Sequence, residues 1–252
     1  MEEKMNNDMT DILIDSLFNP YLDFLIIVAI IIFILIFIIL FFKYLKFKDS
    51  NYKNASGNSF VKTIFNAGNN GEYLTFAKLE KLKGDNKIMT NLYIPRKDKI
   101  TTEVDLIMIS QTGIYVFESK NYSGWIFGNE KQKNWTQTLQ NGKKHKFFNP
   151  IWQNNTHINA LKYALELEED IFKSYIIFSE RCTLKKITLT SENIKVIRRN
   201  RLIRELNKDI SESKKLINKD QIDSIYNELS QYILVDEKTK QEHIESIKNQ
   251  QS

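Results

Sequence analysis

The sequence contains a single cysteine, Cys182, so no internal disulfide can form, which suits a reducing compartment. A lone thiol of this kind reads as a small buried hydrophobe. Histidine is nearly as scarce. His145, His157 and His243 are the only three, and no two stand at the spacing of a zinc site. The eight glycines never gather into a phosphate-binding loop, no segment repeats, and no Ser, His and Asp set suggests a nucleophilic triad. Charge is sparse at one end and abundant at the other. Residues 1–42 hold one Lys and six acidic residues, a net −5, so residues 43–252 carry +10 of a total of +5. That excess is compatible with nucleic-acid phosphates or with anionic lipid, and charge alone does not choose between them.

The longest charge-free stretch is Phe24 to Phe42, nineteen apolar residues in a row. At about 1.5 Å per residue a helix of this length approaches the roughly 30 Å hydrocarbon core of a bilayer. A cleaved signal peptide would carry a basic start and a small-residue cleavage site. Here Asp8, Asp11, Asp15 and Asp23 precede the run, which reads as a retained anchor. Lys43, Lys46 and Lys48 follow it at once, so the positive-inside rule puts residues 1–23 outside and the rest in the cytoplasm. The expectation is a single-pass protein of the cell membrane, held in the lipid bilayer by one transmembrane helix at 24–42. Residues 12–22 suggest an interfacial turn or short helix, and residues 43–65, polar and rich in Asn and Ser after the first lysines, a juxtamembrane linker.

Beyond residue 65 the chain alternates between helix and strand patterns. Tyr73, Leu74, Phe76, Leu79 and Leu82 form an apolar stripe on a helix over 68–83, with Glu72 in its first turn, where a carboxylate favours the helix dipole. A strand over 87–94 ends at Pro95. Leu106–Ile109 and Ile114–Phe117 are apolar runs of strand length flanking a turn with Gly113, so they predict a β-hairpin at a sheet centre. A loop at Gln111–Thr112 sets Asp105 opposite Glu118, whereas a loop at Thr112–Gly113 sets Asp105 opposite Lys120. In either register Asp105, Glu118 and Lys120 share one face, because strand side chains alternate. Two opposed carboxylates could share a divalent cation, and a cross-strand salt bridge to Lys120 is the plainer alternative.

Residues 121–128 read as an extension of this sheet, with Gly124 and Gly128 at tight bends, and 129–146 as a polar loop whose Lys143, Lys144 and Lys146 are basic. Trp125 and Trp135 read as packing residues that could stack bases if exposed. Asn149-Pro150 starts a helix running to about Glu169, with Asn as cap and Pro at the first position. Gln153 and His157 lie four apart on one of its faces, His157 in a structural role. Strands follow at 175–178 and 194–197, then Arg198, Arg199, Arg201 and Arg204 at a helix start. A helix over 219–234 carries Ile222, Ile225, Leu229 and Ile233, and the tail 236–252 has no core-forming pattern.

Asp105, then twelve residues, then Glu118-Ser119-Lys120 resembles the D-(D/E)xK core of restriction-endonuclease-like nucleases. The surroundings narrow the resemblance to the nuclease-related (NERD) domain. They are Gly71-Glu72, Asn91-Leu92-Tyr93-Ile94-Pro95, Thr102-Glu103-Val104-Asp105, Gly113 through Asn121, Gly124-Trp125, Gly128, Trp135 and Asn149-Pro150-Ile151-Trp152-Gln153-Asn154, in the family's order over roughly residues 66–180. Leu106 departs from the polar residue that often follows the Asp. The resemblance implies an α/β fold with an αβββαβ core, a mixed sheet flanked by helices, occupying 66–200, with C-terminal helices over 201–252. It implies a Mg²⁺- or Mn²⁺-dependent phosphodiester hydrolase acting on nucleic acid, DNA before RNA. Asp105, Glu118 and the Ser119 carbonyl would be metal ligands, Lys120 the catalytic cation, Glu72 a metal-assisting acid and Gln153 a residue orienting the centre. The alternative it leaves is a catalytically inactive module that binds nucleic acid or protein at the membrane. Protein partners are not indicated.

Overall fold

The computed structural model describes residues 2–98, 100–167 and 169–235, together with residues 238, 239, 241, 243 and 245. The chain forms two compact units, residues 1–49 and residues 50–252. In the first unit α1 (Glu2–Lys48) is one unbroken helix. Residues 12–22, expected as a separate short element, continue within it. Its segment Tyr21–Lys48 contains an 18-residue stretch with a mean hydropathy of 3.8 and is the one helix among the described residues long and apolar enough to cross a membrane.

The second unit contains α2 (Tyr52–Ser56), α3 (Phe60–Phe65), α4 (Ala67–Leu79), β1 (Lys87–Pro95), β2 (Thr101–Ser110), β3 (Gly113–Lys120), β4 (Gly124–Asn129), β5 (Asn134–Thr138), β6 (Lys144–Phe148), α5 (Pro150–Leu165), β7 (Phe172–Phe178), β8 (Cys182–Thr188), β9 (Ile194–Arg198), α6 (Leu202–Glu212) and α7 (Lys219–Leu229). Two mixed sheets result, ordered β1-β2-β3-β7-β9 and β6-β5-β4-β8, and helices flank them. The expected α-β-β-β-α-β order is present as α4, β1, β2, β3, α5 and β7. Three strands of the second sheet are inserted between β3 and α5.

The apolar runs of β2 and β3 lie at the centre of the first sheet, where both faces are covered. Leu106–Ser110 and Gly113–Glu118 are buried throughout. Between them the loop is Gln111–Thr112, since Ser110 pairs with Gly113 and Leu106 with Phe117. Gly113 enforces this turn: its φ is +128°, and a Cβ there would sit 2.5 Å from the Ile171 carbonyl oxygen. Of the two registers compatible with the sequence, the one opposing Asp105 to Glu118 is therefore realised. On one face, Ile107, Ile109, Ile114 and Val116 pack with Ile158, Leu161 and Leu165 of α5 and with Ile222, Ile225 and Leu229 of α7. The α5 helix begins where expected: Asn149 accepts a bond from the Ile151 amide and Pro150 takes the first helical position.

Several expectations are corrected. Residues 121–128 do not extend the first sheet, because the chain turns away at Gly124 (φ +77°) and β4 starts the second. Residues 129–146 are no loop. They contain β5 and the start of β6, held by Trp135 and Phe147, which pair across the strands and meet the ring of Phe178. Gly128 marks no bend; a side chain there would strike the Trp135 indole, 2.1 Å from a Cβ. The β8 strand is hidden in the sequence because Lys185 and Lys186 interrupt its alternation, and the pairing with β4 carries an irregularity at Ile126/Phe127. Cys182 is buried in this second core, and burial pushes its thiol up to about 11, which keeps it unreactive.

The α4 helix stops at Leu79 rather than Lys83, and Leu74 faces solvent. Residues 50–65 are also structured. Tyr52 is fully buried between Tyr73 and Phe76, with ring centroids 5.5 and 5.4 Å away. The tail at 236–252 lies largely outside the described residues, although His243 is buried edge-on against Tyr93.

Candidate active site

Three of the five side chains singled out in the sequence meet directly at the end of β3. Lys120 Nζ lies 2.6 Å from Glu118 Oε1 and donates to Gln153 Oε1 at 2.9 Å. Alternation along β3 puts Glu118 and Lys120 on the face that α5 covers, and Gln153 is in the first turn of that helix. His157, one turn further along α5, bonds through Nε2 to the other carboxylate oxygen of Glu118 at 3.1 Å. Its Nδ1 meets Thr102 Oγ1 at 3.0 Å, so the imidazole links β2 to β3. Glu118 is thereby gripped on both oxygens while 1% exposed, as a buried carboxylate requires.

Asp105 joins from β2. Continuing the register by one pair sets it opposite Glu118, and its Oδ2 accepts a bond from the Ser119 amide at 3.2 Å. The strand is held at this point by Thr90, whose hydroxyl donates to the Asp105 carbonyl at 2.6 Å. Asp105 is enclosed by protein but keeps an edge toward solvent. Glu72, in α4, is the fifth residue. Tyr52 OH donates to its Oε2 at 3.4 Å. The helix turn that carries it is fixed by Arg199, which is buried, donates to the Gly71 carbonyl at 2.9 Å and pairs with Glu180 at 3.0 Å. Thr75, also on α4, brings its hydroxyl within 3.3 Å of Ser119 Oγ.

The electrostatics divide the three carboxylates. Burial would raise Glu118, but Lys120 and His157 outweigh it and hold its carboxyl below the ordinary value, so Glu118 is ionised. Burial and the Glu118 charge raise Asp105 to about 7, and His157, Lys120 and the Ser119 amide only partly oppose them. Burial and the charges of Asp105, Glu103 and Glu118 raise Glu72 well above the ordinary value. Lys120 is raised despite burial, by Glu118 above all, and stays charged. The site therefore holds more carboxylate than its own cations neutralise, which is the condition a bound cation would relieve.

The donors fit one kind of ion. They are hard carboxylate oxygens, and among the described residues no three His, Cys, Asp or Glu side chains converge into a ready cage. An ion that keeps much of its water and takes only one or two carboxylates, such as Mg²⁺, matches this set; a fully protein-caged ion does not.

Two neighbours escaped the sequence reading as site residues. Glu103 acts on Glu72 and is held by Tyr93 OH at 2.8 Å. Its position two residues before Asp105 on a strand was the available signal. Tyr52 fell in a stretch too polar to suggest a core residue. For His157, the four-residue spacing from Gln153 did announce a shared face.

The model of the nuclease-related domain, NERD, matches residues 67–179. An uncharacterized protein of Bacillus anthracis is 32% identical over 184 residues, spanning 72% of this chain and 84% of the relative. The chain belongs to the NERD family. No solved structure matches it significantly. All five candidate residues fall inside the matched NERD segment. The fold reaches further, since β8 completes the second sheet, β9 the first, and α7 closes the core over β1 and β2.

Proposed function

We propose that this NERD protein is a membrane-anchored, metal-dependent nuclease that hydrolyses phosphodiester bonds, with DNA favoured over RNA. The observation that carries the reading is the triangle of Glu118, Lys120 and Gln153, with Asp105 opposed to Glu118 across the hairpin. Mg²⁺ or Mn²⁺, held by Asp105, Glu118 and the Ser119 carbonyl, would polarise the scissile phosphate and acidify the attacking water.

The chain's own residues supply the rest. Lys120 brings a fixed positive charge to the phosphate oxygens, where negative charge grows in the transition state. Gln153 holds the Lys120 ammonium in place, so its position is set before substrate arrives. His157 and Thr102 fix the Glu118 carboxylate from behind. Asp105, half-protonated near neutral pH, can hold or release a proton at its carboxyl as charge in the site changes. Glu72 sits at the margin, a further acid whose charge adds to the demand for a cation.

In this reading α1 is a single membrane span, residues 1–23 lie outside, and the NERD domain works at the cytoplasmic face of the cell membrane. The support is the apolar length of the helix and the lysines that follow it. The test is titration of Mg²⁺ and Mn²⁺ into the purified full chain with DNA and RNA substrates. Metal-dependent cleavage that Asp105→Asn abolishes is the expected result. Cleavage indifferent to that substitution, or none at any metal concentration, overturns it.

A second reading has its own support. Lys120 already satisfies Glu118 at 2.6 Å, so the pair could serve as a structural ion pair in an inactive domain that retains the fold to bind nucleic acid or protein. Binding without turnover under the same titration would favour it.

A further inference from the structure

The second sheet has one face turned inward, where Ile126, Trp135 and Cys182 form its core. Its other face is built differently. Strand pairing lays out two rows on it. One runs Lys146, Thr136, Phe127, Lys186, and the next runs Lys144, Thr138, Trp125, Thr183. Trp125 is 51% exposed, unlike its buried counterpart Trp135. Lys185, set off by the irregularity in β8, places its ammonium 4.9 Å from the Trp125 ring centre. Lys144, Lys146, Lys185 and Lys186 are all exposed, and none forms an ion pair among the described residues. No Asp or Glu occurs anywhere in β4, β5, β6 or β8.

We infer that this face is a binding platform for single-stranded nucleic acid, with Trp125 stacking on a base and the four lysines meeting phosphates. Charge complementarity sets the sign of the partner: four cations and no carboxylate on the sheet call for a polyanion. The exposed indole specifies its kind. An aromatic face among cations is what unpaired bases require, and a base still paired inside a duplex offers no free face to it. A lipid surface is the poorer match. The outward face has two exposed large rings, Trp125 and Phe148, in rows separated by that of Lys146, Thr136, Phe127 and Lys186 rather than joined into an apolar ridge. The platform also begins close to the site, since β4 starts at Gly124, four residues after Lys120.

The inference rests on the nuclease reading only for its biological purpose, and the experiment separates the two. The full chain in neutral phosphatidylcholine nanodiscs, with EDTA to prevent cleavage, is titrated against a fluorescein-labelled 12-residue single-stranded oligonucleotide and its duplex. Trp125→Ala should weaken single-strand binding about five- to 150-fold, while Trp125→Phe retains most of it. Replacing Lys185 and Lys186 by Ala should reduce the slope of log affinity against log salt by about 0.7 for each phosphate no longer neutralised. With Mg²⁺ restored, hydrolysis of bis(p-nitrophenyl) phosphate, too small to span both places, should be unchanged in these variants. Single-strand affinity that Trp125→Ala leaves intact overturns the platform, even if the small ester is hydrolysed. Tryptophan emission that responds to phosphatidylserine vesicles but not to the oligonucleotide overturns it too, in favour of a lipid surface. Platform variants that lose oligonucleotide binding in a parent unable to hydrolyse either substrate sustain the platform and sink the nuclease.

Discussion

The Lys120 ammonium stands 2.6 Å from the Glu118 carboxylate while their side chains are 16% and 1% exposed. That one contact belongs to both functional readings. A buried pair of this kind contributes little net stability when intact, because desolvation of both ions offsets their attraction. Losing one partner is costly, because the other charge is then stranded.

Removing the cation should therefore do two things at once. We expect Lys120→Ala to lower metal-dependent cleavage by a factor on the order of 10²–10³. It should also lower the thermal unfolding midpoint, with His157 limiting the loss by keeping one bond to Glu118. The double replacement Lys120→Met with Glu118→Gln removes both charges and should recover most of the stability but none of the activity. Recovery of activity in the double variant would mean that neither charge belongs to the chemistry.

The second sheet gives a test of packing that leaves the candidate centre untouched. Gly128→Ala would place a methyl 2.1 Å from a ring carbon of the buried Trp135. Backbone or indole must move, and overpacking of this kind costs about 1–3 kcal/mol. The unfolding midpoint should fall by several degrees, measured by circular dichroism. An unchanged midpoint would show that the sheet accommodates the methyl without strain.

The site was legible in the sequence because its parts are local. A hairpin with two possible loops, an acidic residue near one strand end and Glu-x-Lys near the other already confine Asp105, Glu118 and Lys120 to one face. The choice between the two loops, shown by the pairing of Ser110 with Gly113, was not legible, and neither was the Ile171 carbonyl 2.5 Å from where a Gly113 Cβ would stand, a contact between distant segments that no local pattern records. The second sheet was misread for a similar reason. Trp135 and Phe147 give β5 and β6 their inward anchors, but each strand has only five residues, mostly polar. Their partner β8 lies beyond α5 and β7 in the chain. Tyr52 hid in the same way, a single aromatic in a polar stretch whose packing partners Tyr73 and Phe76 come later.

Topology can be tested without purifying the chain. If α1 spans the membrane with its lysine-bearing end inside, a protease added to intact cells should leave residues 60–252 whole. A tag before residue 2 should be removed. Digestion of the NERD domain under those conditions would reverse the orientation, and a soluble, shortened product in the medium would make the apolar helix a signal sequence.

Asp105 makes the metal-free protein sensitive to pH in a direction that can be worked out. Its carboxyl is raised in the fold from an ordinary 3.8 to about 7, by burial first and then by Glu118, with His157 and Lys120 in opposition, and its charge in turn helps to raise Glu72. Between those values the folded state binds the extra proton, so stability falls as pH rises from about 4 to about 7. Each unit of such a shift is worth about 1.4 kcal/mol. Glu118 acts in the other direction and elsewhere: it is held below its ordinary value, so its contribution is present at neutral pH and is lost only as pH falls into the acid range. Unfolding midpoints should therefore decline between pH 4.5 and 7.5 without metal, and Asp105→Asn should flatten that decline and raise the midpoint at pH 7.5. Saturating Mg²⁺ should flatten it as well, because a cation at the carboxylates removes the reason for the raised value, and binding should release protons near pH 7. Calorimetric titration in two buffers of different ionisation enthalpy measures that release. Because Glu72 is raised as well, the release should shrink rather than vanish in Asp105→Asn, and a release of unchanged size would move the cation away from Asp105 and with it the case for a shared carboxylate site.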